Sequence, residues 1–251
     1  MTAIEETPAP VRQAPKGGET AIGLSRGSRR TIIRRFAAGA QRLYVRSKLA
    51  GDPLYAAVAS RLATAAPLPL LDVGCGLGLL GQYLHAAGVL HGYLGIDHDE
   101  RKIAAARHAA AALGGALRFQ HGDVDSLGEF AGHVALLDVL HYLPAWRQPL
   151  LLERLAQRVA PDGLLLLRNV LRQRHWRYHA TVLEEQCLYY SGWMRVRPTH
   201  YPAAEEIAAP LRAAGLHVHM EPLWGRTPFN SYLVVARRPA DAAQGDEAQR
   251  S

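Results

Sequence analysis

Nine residues, Leu70-Leu71-Asp72-Val73-Gly74-Cys75-Gly76-Leu77-Gly78, join a short apolar run, an acid and three glycines spaced two apart. The pattern is that of a strand ending in a tight turn that opens a helix. Glycines in such a turn let the backbone take φ > 0 and approach a ligand, while the following helix points its unpaired N–H groups at whatever anion sits above it. A carboxylate or a phosphate suits that position. A dinucleotide fingerprint, G-x-G-x-x-G, would need its third glycine at position 79, which is Leu79; the chain runs G-x-G-x-G instead. Three more acids end later apolar runs. Asp97 follows Tyr93-Leu94-Gly95-Ile96, where it can take two ribose hydroxyls, Asp123 follows Leu117–Gly122, and Asp138 follows Val134–Leu137. Those intervals suit one continuous α/β domain.

The stretches LLDVGCGLG, GID, GDVDS and LLDVLHYLP resemble the class I S-adenosylmethionine-dependent methyltransferase family, over about residues 45 to 238. The resemblance implies a Rossmann-like, doubly wound, mostly parallel seven-stranded sheet with one antiparallel edge strand and helices on both faces, and S-adenosylmethionine as cofactor. It places the methionine carboxylate at the backbone of Gly74, Cys75, Gly76 and Gly78, with Cys75 as a small packing residue. Asp72 and the backbone near Asp138 meet the cationic amino group. Asp97 takes the ribose, His98 flanks the adenine ring, and Asp123 with Val124 meets its amino edge. Each has a plainer alternative: Asp97 as a cap for the helix near Asp99, His98 as a loop residue, Asp123 as a turn residue.

Asp138 to Tyr142 would form the wall between cofactor and acceptor, which brings Asp138, His141 and Tyr142 near the transferred methyl. His141 is the candidate general base, because imidazole titrates near neutral pH and can accept a proton from a hydroxyl; the alternative is a histidine that only shapes the pocket. The segment from about 168 to 202 mixes cations with amphipathic rings and reads as an acceptor-binding insertion. Arg168, His175, His179, Tyr190, Trp193, His200 and Tyr201 are its substrate-binding candidates, with Thr227 beyond it. Rings with a polar tip grip an aromatic substrate, and arginine pairs with a carboxylate or phosphate. The alternatives are an ordinary helix pair with its aromatics in the core, and a turn at Thr227. His175 and His179 are four apart, but no H-E-x-x-H and no cysteine cluster completes a metal site, so none is expected. A finer similarity, in Tyr44-Val45-Arg46-Ser47-Lys48-Leu49, Asp52-Pro53-Leu54-Tyr55 and Gly225-Arg226-Thr227-Pro228-Phe229-Asn230, is to methyltransferases of bacterial aryl polyene pigment biosynthesis. It implies an aryl head group as acceptor, free or on an acyl carrier protein, methylated on carbon or oxygen.

Three other functions share parts of this pattern. A nucleic-acid methyltransferase would use a basic stripe as a phosphate track, yet no N-P-P-Y-like tetrad for a flipped base is present. A NAD-dependent oxidoreductase shares the turn and Asp97 but fits the glycine spacing and the later acids less well. A non-catalytic sensor would keep Gly74, Gly76 and Asp97 without an acceptor pocket.

The elements that must position these residues follow from periodicity. Strands are expected at about 69–73, 92–97, 116–120, 133–138 and 163–168, with helices near 78–87, 99–113 and 146–159, then a helix at 203–214 and strands at 216–221 and 230–236. Upstream, Ile32, Ile33, Phe36, Leu43 and Val45 suggest an amphipathic helix interrupted only by Gly39. Asp52-Pro53 starts another helix, with Leu54, Val58 and Leu62 inward and Asp52 as N-cap. These basic helices, residues 26–66, are expected to cover the cofactor; residues 1–25 and 239–251 read as disordered tails around a methyltransferase domain at 67–238. Eight Lys or Arg and no acid lie between Arg26 and Lys48, more than the whole net charge of +7. That stripe suits an acidic carrier protein or an anionic membrane surface, or is a solvated helix face. With 49% hydrophobic residues, no long uncharged apolar run, no secretory pattern at the start and two cysteines, a soluble cytoplasmic enzyme without an integral membrane segment is expected.

Overall fold

The computed structural model describes residues 22–173, 176–178, 198–224 and 230–240. Seven strands form one sheet in the order β3-β2-β1-β4-β5-β7-β6. They are β1 (Leu70–Val73), β2 (Tyr93–Asp97), β3 (Arg118–His121), β4 (His133–Leu137), β5 (Leu164–Val170), β6 (His217–Pro222) and β7 (Ser231–Arg237). The first five run parallel; β7 is antiparallel to both β5 and the edge strand β6. The one antiparallel strand therefore stands at the expected end of the sheet, inserted one place in from its edge.

Alternation along the strands assigns side chains to two apolar layers. Leu70, Leu164, Leu166 and Leu233 join the layer under α1 (Arg26–Arg35), α3 (Leu54–Ala63), α4 (Leu79–Ala87) and α5 (Glu100–Ala110). Leu71, Val73, Leu165, Leu167 and Val234 join the layer under α6 (Arg147–Gln157) and α7 (Ala204–Ala213). All four leucines of 164–167 are buried, as a parallel strand covered on both faces requires.

The upstream segment folds as two helices. α1 ends at Phe36, which turns extended, and Gly39, at φ 88°, is the N-cap from which α2 (Ala40–Gly51) starts. Ile32, Phe36 and Val45 are buried as expected, but the break rotates Leu43 outward to 64% exposure. Asp52 caps α3 through its Oδ1, which accepts from the Leu54 amide at 3.0 Å across Pro53; Leu54, Val58 and Leu62 face inward. Residues 22–25, assigned by composition to the tail, dock on this layer: the Ile22 amide donates to Ser60 Oγ at 2.9 Å and Tyr83 Oη donates to the Ile22 carbonyl at 2.8 Å. Among the described residues no helix is long and apolar enough to cross a membrane.

Between β1 and β4 the strand order reverses, so the C-terminal ends of these two strands flank the switch point of the sheet. That is where an open α/β sheet binds its ligand.

Candidate active site

Gly74, Gly76 and Gly78 all adopt positive φ, at 72°, 55° and 70°. The outer two have lost any room for a side chain: a Cβ at Gly74 would lie 2.4 Å from Val139 Cγ2, and one at Gly78 2.4 Å from Phe119 Cε1. At Gly76 it would meet nothing within 4 Å. The turn is thus locked on both sides and open in the middle, a cradle for a ligand. Its base is held by the Gly74 and Cys75 amides, which donate to the Ile96 carbonyl at 2.8 and 2.9 Å. Gly78 caps α4 without a side chain, and the first helical bond runs from the Gln82 amide to the Gly78 carbonyl, so the Leu79 and Leu80 amides lack helical acceptors, while the Gly81 amide meets the Tyr93 hydroxyl. Gly95 admits Cys75 Sγ, which would sit 2.8 Å from a Cβ there. Burial pushes the Cys75 thiol far up, and Asp72 and Asp97 push in the same direction, so it packs and does not attack.

Asp97 is 5% exposed and binds the turn directly: Oδ2 accepts from the Gly76 amide at 2.9 Å and Oδ1 from the Asp99 amide at 2.8 Å. Asp99, not Asp97, caps α5. His98 is exposed, with Nδ1 3.6 Å from Asp97 Oδ1. Asp123 is the cap of a short 3₁₀ turn, its Oδ1 accepting from the Asp125 and Ser126 amides at 3.1 and 3.0 Å, which leaves Oδ2 toward solvent; Val124 behind it is buried. Asp72 lies deeper than these. The Tyr93 hydroxyl donates to its Oδ2 at 2.6 Å. Burial pushes the Asp72 carboxyl up to about 7, Tyr93 working against that rise and Asp97 with it.

Asp138 follows β4 at φ 59°, left-handed for a residue with a side chain. Its amide donates to the Arg168 carbonyl at 3.0 Å, and its carboxylate takes both arms of the Arg168 guanidinium, Nε to Oδ1 at 2.7 Å and Nη2 to Oδ2. Arg168 Nη1 donates to Asp52 Oδ1 at 2.6 Å, and Lys48 Nζ to Asp52 Oδ2 at 3.2 Å. Four alternating charges thus run from α2 through the start of α3 to β5 and β4. Burial alone would raise the Asp138 carboxyl, but Arg168 holds it at about 2. Arg168 itself is 6% exposed and lies within β5, so the insertion begins after Val170 and this guanidinium is committed to two carboxylates.

His141 sits in a 3₁₀ turn, Leu140–Tyr142, and is 2% exposed. Its ring lies 4.2 Å from that of Tyr142 and stacks on Tyr201 at 5.9 Å, which in turn meets Tyr178 edge-on at 5.7 Å. Tyr142 and Tyr201 are half-buried. The Thr199 and His200 amides donate to the His141 carbonyl at 2.9 and 3.3 Å, and Gln148 Nε2 to the Leu140, Leu143 and His200 carbonyls at 3.0, 3.0 and 2.9 Å. The His200 ring instead pairs with Glu206 Oε2 at 3.2 Å, at the start of α7. His141, Tyr142 and Tyr201 are therefore brought together, whereas Arg168 and His200 have structural partners. His175, His179, Tyr190, Trp193 and Thr227 lie outside the described residues. Asn169, buried beside Arg168 and bonded to His141 at 2.8 Å, was missed in the sequence. Its signal is a polar pair closing a run of four leucines in a strand whose two faces are both covered.

Residues 70–163 match the family described as a methyltransferase domain. A ubiquinone biosynthesis O-methyltransferase of Sinorhizobium fredii (strain NBRC 101917 / NGR234) is 28% identical over 190 residues, which span 68% of this chain and 73% of that protein. Among solved structures, magnesium protoporphyrin IX methyltransferase from Synechocystis PCC 6803 with bound SAH superposes with a TM-score of 0.60 at 20% identity, over 84% of this chain and 93% of that one. The [4+2]-cyclase SpnF superposes at 0.57 with 19% identity, over 75% and 81%. One fold thus carries a cyclase and a methyltransferase, so the reaction must be argued from the matched domain and the site.

Proposed function

We infer that this chain, an S-adenosylmethionine-dependent methyltransferase by its matched domain and its glycine turn, methylates a hydroxyl of a small aromatic acceptor held against Tyr142 and Tyr201. The observation that carries the acceptor class is the cluster of rings around His141, next to the charge-clamped Asp138. An oxygen acceptor is favoured over carbon because the ring cluster contains an imidazole, a group able to take a hydroxyl proton.

Bound at the turn, the donor supplies an electrophilic methyl carbon on a cationic sulfur. The residues present fit it: the open side of Gly76 gives room, the amides opening α4 face its carboxylate, and Asp97 offers the ribose a carboxylate fixed by two backbone amides. Asp72 and the backbone at Asp138 serve its ammonium, while His98, Asp123 and Val124 border its adenine. On the acceptor side, Arg168 keeps Asp138 ionised and in place at the end of β4. His141 would take the proton of the acceptor hydroxyl, whose oxygen would receive the methyl as the bond to sulfur breaks and S-adenosylhomocysteine leaves. Rings on either side align the acceptor, and alignment supplies much of the rate in a direct displacement.

An aryl polyene head group fits this acceptor class, and the basic stripe of α1 and α2 suits the acidic surface of a carrier protein that would deliver it. The test is release of S-adenosylhomocysteine from S-adenosylmethionine with caffeic acid, 4-hydroxycinnamic acid and their carrier-bound thioesters, beside His141→Gln. Turnover of the phenols that falls at least tenfold in His141→Gln supports the reading. Turnover of non-phenolic acceptors alone, or a fully active His141→Gln, overturns it.

A further inference from the structure

We propose that Asn169 is a positioning residue for this chemistry: its amide holds His141 as the Nδ1–H tautomer and so keeps Nε2 as the ring's proton-accepting nitrogen. The proposal rests on the reading of His141 as the base and adds what prepares it.

The argument is one of donors and acceptors. Asn169 is fully buried on β5, where an amide is tolerated only if its hydrogen bonds are made. Its Nδ2 donates to the Val170 carbonyl at 2.8 Å. A carbonyl can only accept, which settles which end of the amide faces which way. Oδ1 then points at His141 Nδ1, 2.8 Å distant. An amide oxygen can also only accept, so the proton of a neutral imidazole must lie on Nδ1, and the lone pair on Nε2. The opposite tautomer would set two lone pairs against each other in a buried site.

The ring has little freedom to escape this constraint. Its backbone is pinned by the amides of Thr199 and His200 on the returning segment, and its ring packs on the stacked Tyr201 and the tilted Tyr142. The choice of an amide is itself informative. A carboxylate at 169 would orient the ring equally well but would stabilise the imidazolium, so that the base would hold a proton at neutral pH. Among the described residues, Tyr142, Tyr201 and the Asp138 carboxylate, which Arg168 pairs, lie near His141. A neutral amide orients the ring without setting a charge beside it.

The test reads the tautomer directly, with the full chain labelled with ¹⁵N-histidine and the His141 signals, among 12 histidines, assigned by their loss in His141→Gln. At pH 8 the wild type is expected to show a protonated Nδ1 and an unprotonated Nε2, and Asn169→Leu a mixture. With caffeic acid as probe, Asn169→Leu should lose tenfold or more in kcat while KM for S-adenosylmethionine stays within twofold. Asn169→Asp should recover part of that kcat, with the acid limb of its pH–rate profile moved to higher pH. A wild-type Nε2–H tautomer overturns the proposal, as does an unchanged tautomer in Asn169→Leu or an unchanged pH profile in Asn169→Asp. Should Asn169→Leu fail to fold, the wild-type spectrum and Asn169→Asp decide. An Nδ1–H ring in a protein whose His141→Gln variant is fully active would sustain the positioning and refute the base, so the two failures are separable.

Discussion

Asp72, on β1, and Asp138, just after the neighbouring β4, shift in opposite directions, because burial prevails at Asp72 whereas at Asp138 a guanidinium overcomes it. The Asp72 carboxyl is raised to about 7, above an unfolded value of about 3.9, so between those pH values the folded chain holds the extra proton and stability falls as pH rises. Asp72→Asn should therefore raise the Tm of the free protein at pH 8 and leave it nearly unchanged at pH 4, while weakening S-adenosylmethionine binding. For Asp138, held at about 2, the sign reverses: its stabilisation is present above about pH 4 and disappears as pH falls toward 2. Thermal unfolding across pH in the two single variants separates these contributions. On the ribose role proposed for it, Asp97→Ala should lower donor affinity by about 2 kcal/mol through the loss of two buried hydrogen bonds. Calorimetric titration checks it, and an unchanged affinity in a folded variant would remove Asp97 from the ribose site.

The glycine turn makes a contrast that separates folding from binding. Gly78→Ala drives a methyl into the Phe119 ring at positive φ and should destabilise by about 1–3 kcal/mol. Gly76→Ala has open space, so a small loss of about 1 kcal/mol from its φ should accompany a much larger loss of donor binding. Unfolding curves and titrations of the pair test the distinction. Arg168→Met leaves Asp138 without its guanidinium and Asp52 with Lys48 alone, and should destabilise by about 3 kcal/mol or more, measured by urea unfolding. The turn and the strand-terminal acids were legible because each is local: an apolar run, then an acid or a glycine. Asp52 was readable as a helix cap for the same reason, but not as the partner of Arg168, 116 residues away. Nor did the residue types at 168 and 169 reveal that both were committed inward. Cations and amides are usually exposed, and only the sheet shows that this stretch is covered on both sides. The single upstream helix failed between Phe36 and Gly39, where the apolar spacing continues across a backbone that does not.

At the scale of the whole chain, α1 to α3 belong to the same apolar layer as the sheet, with Phe36 2% exposed. Phe36→Ala should cost about 3–5 kcal/mol and keep one cooperative unfolding transition. A separate early transition would mean that these helices are an appendage. The run Leu164-Leu165-Leu166-Leu167 has a consequence of its own. A strand of four leucines presents the same apolar surface after a slip of two residues, so contact with the layers above and below leaves its alignment degenerate. Arg168 and Asn169 remove the degeneracy, since a slipped strand would carry a guanidinium and an amide away from Asp138, Asp52 and His141 and bury them unmatched. The polar groups that equip the crevice thus serve as the key by which the central strand finds its place. Changing the chemistry at 168 or 169 also changes what tells the chain where to stop sliding.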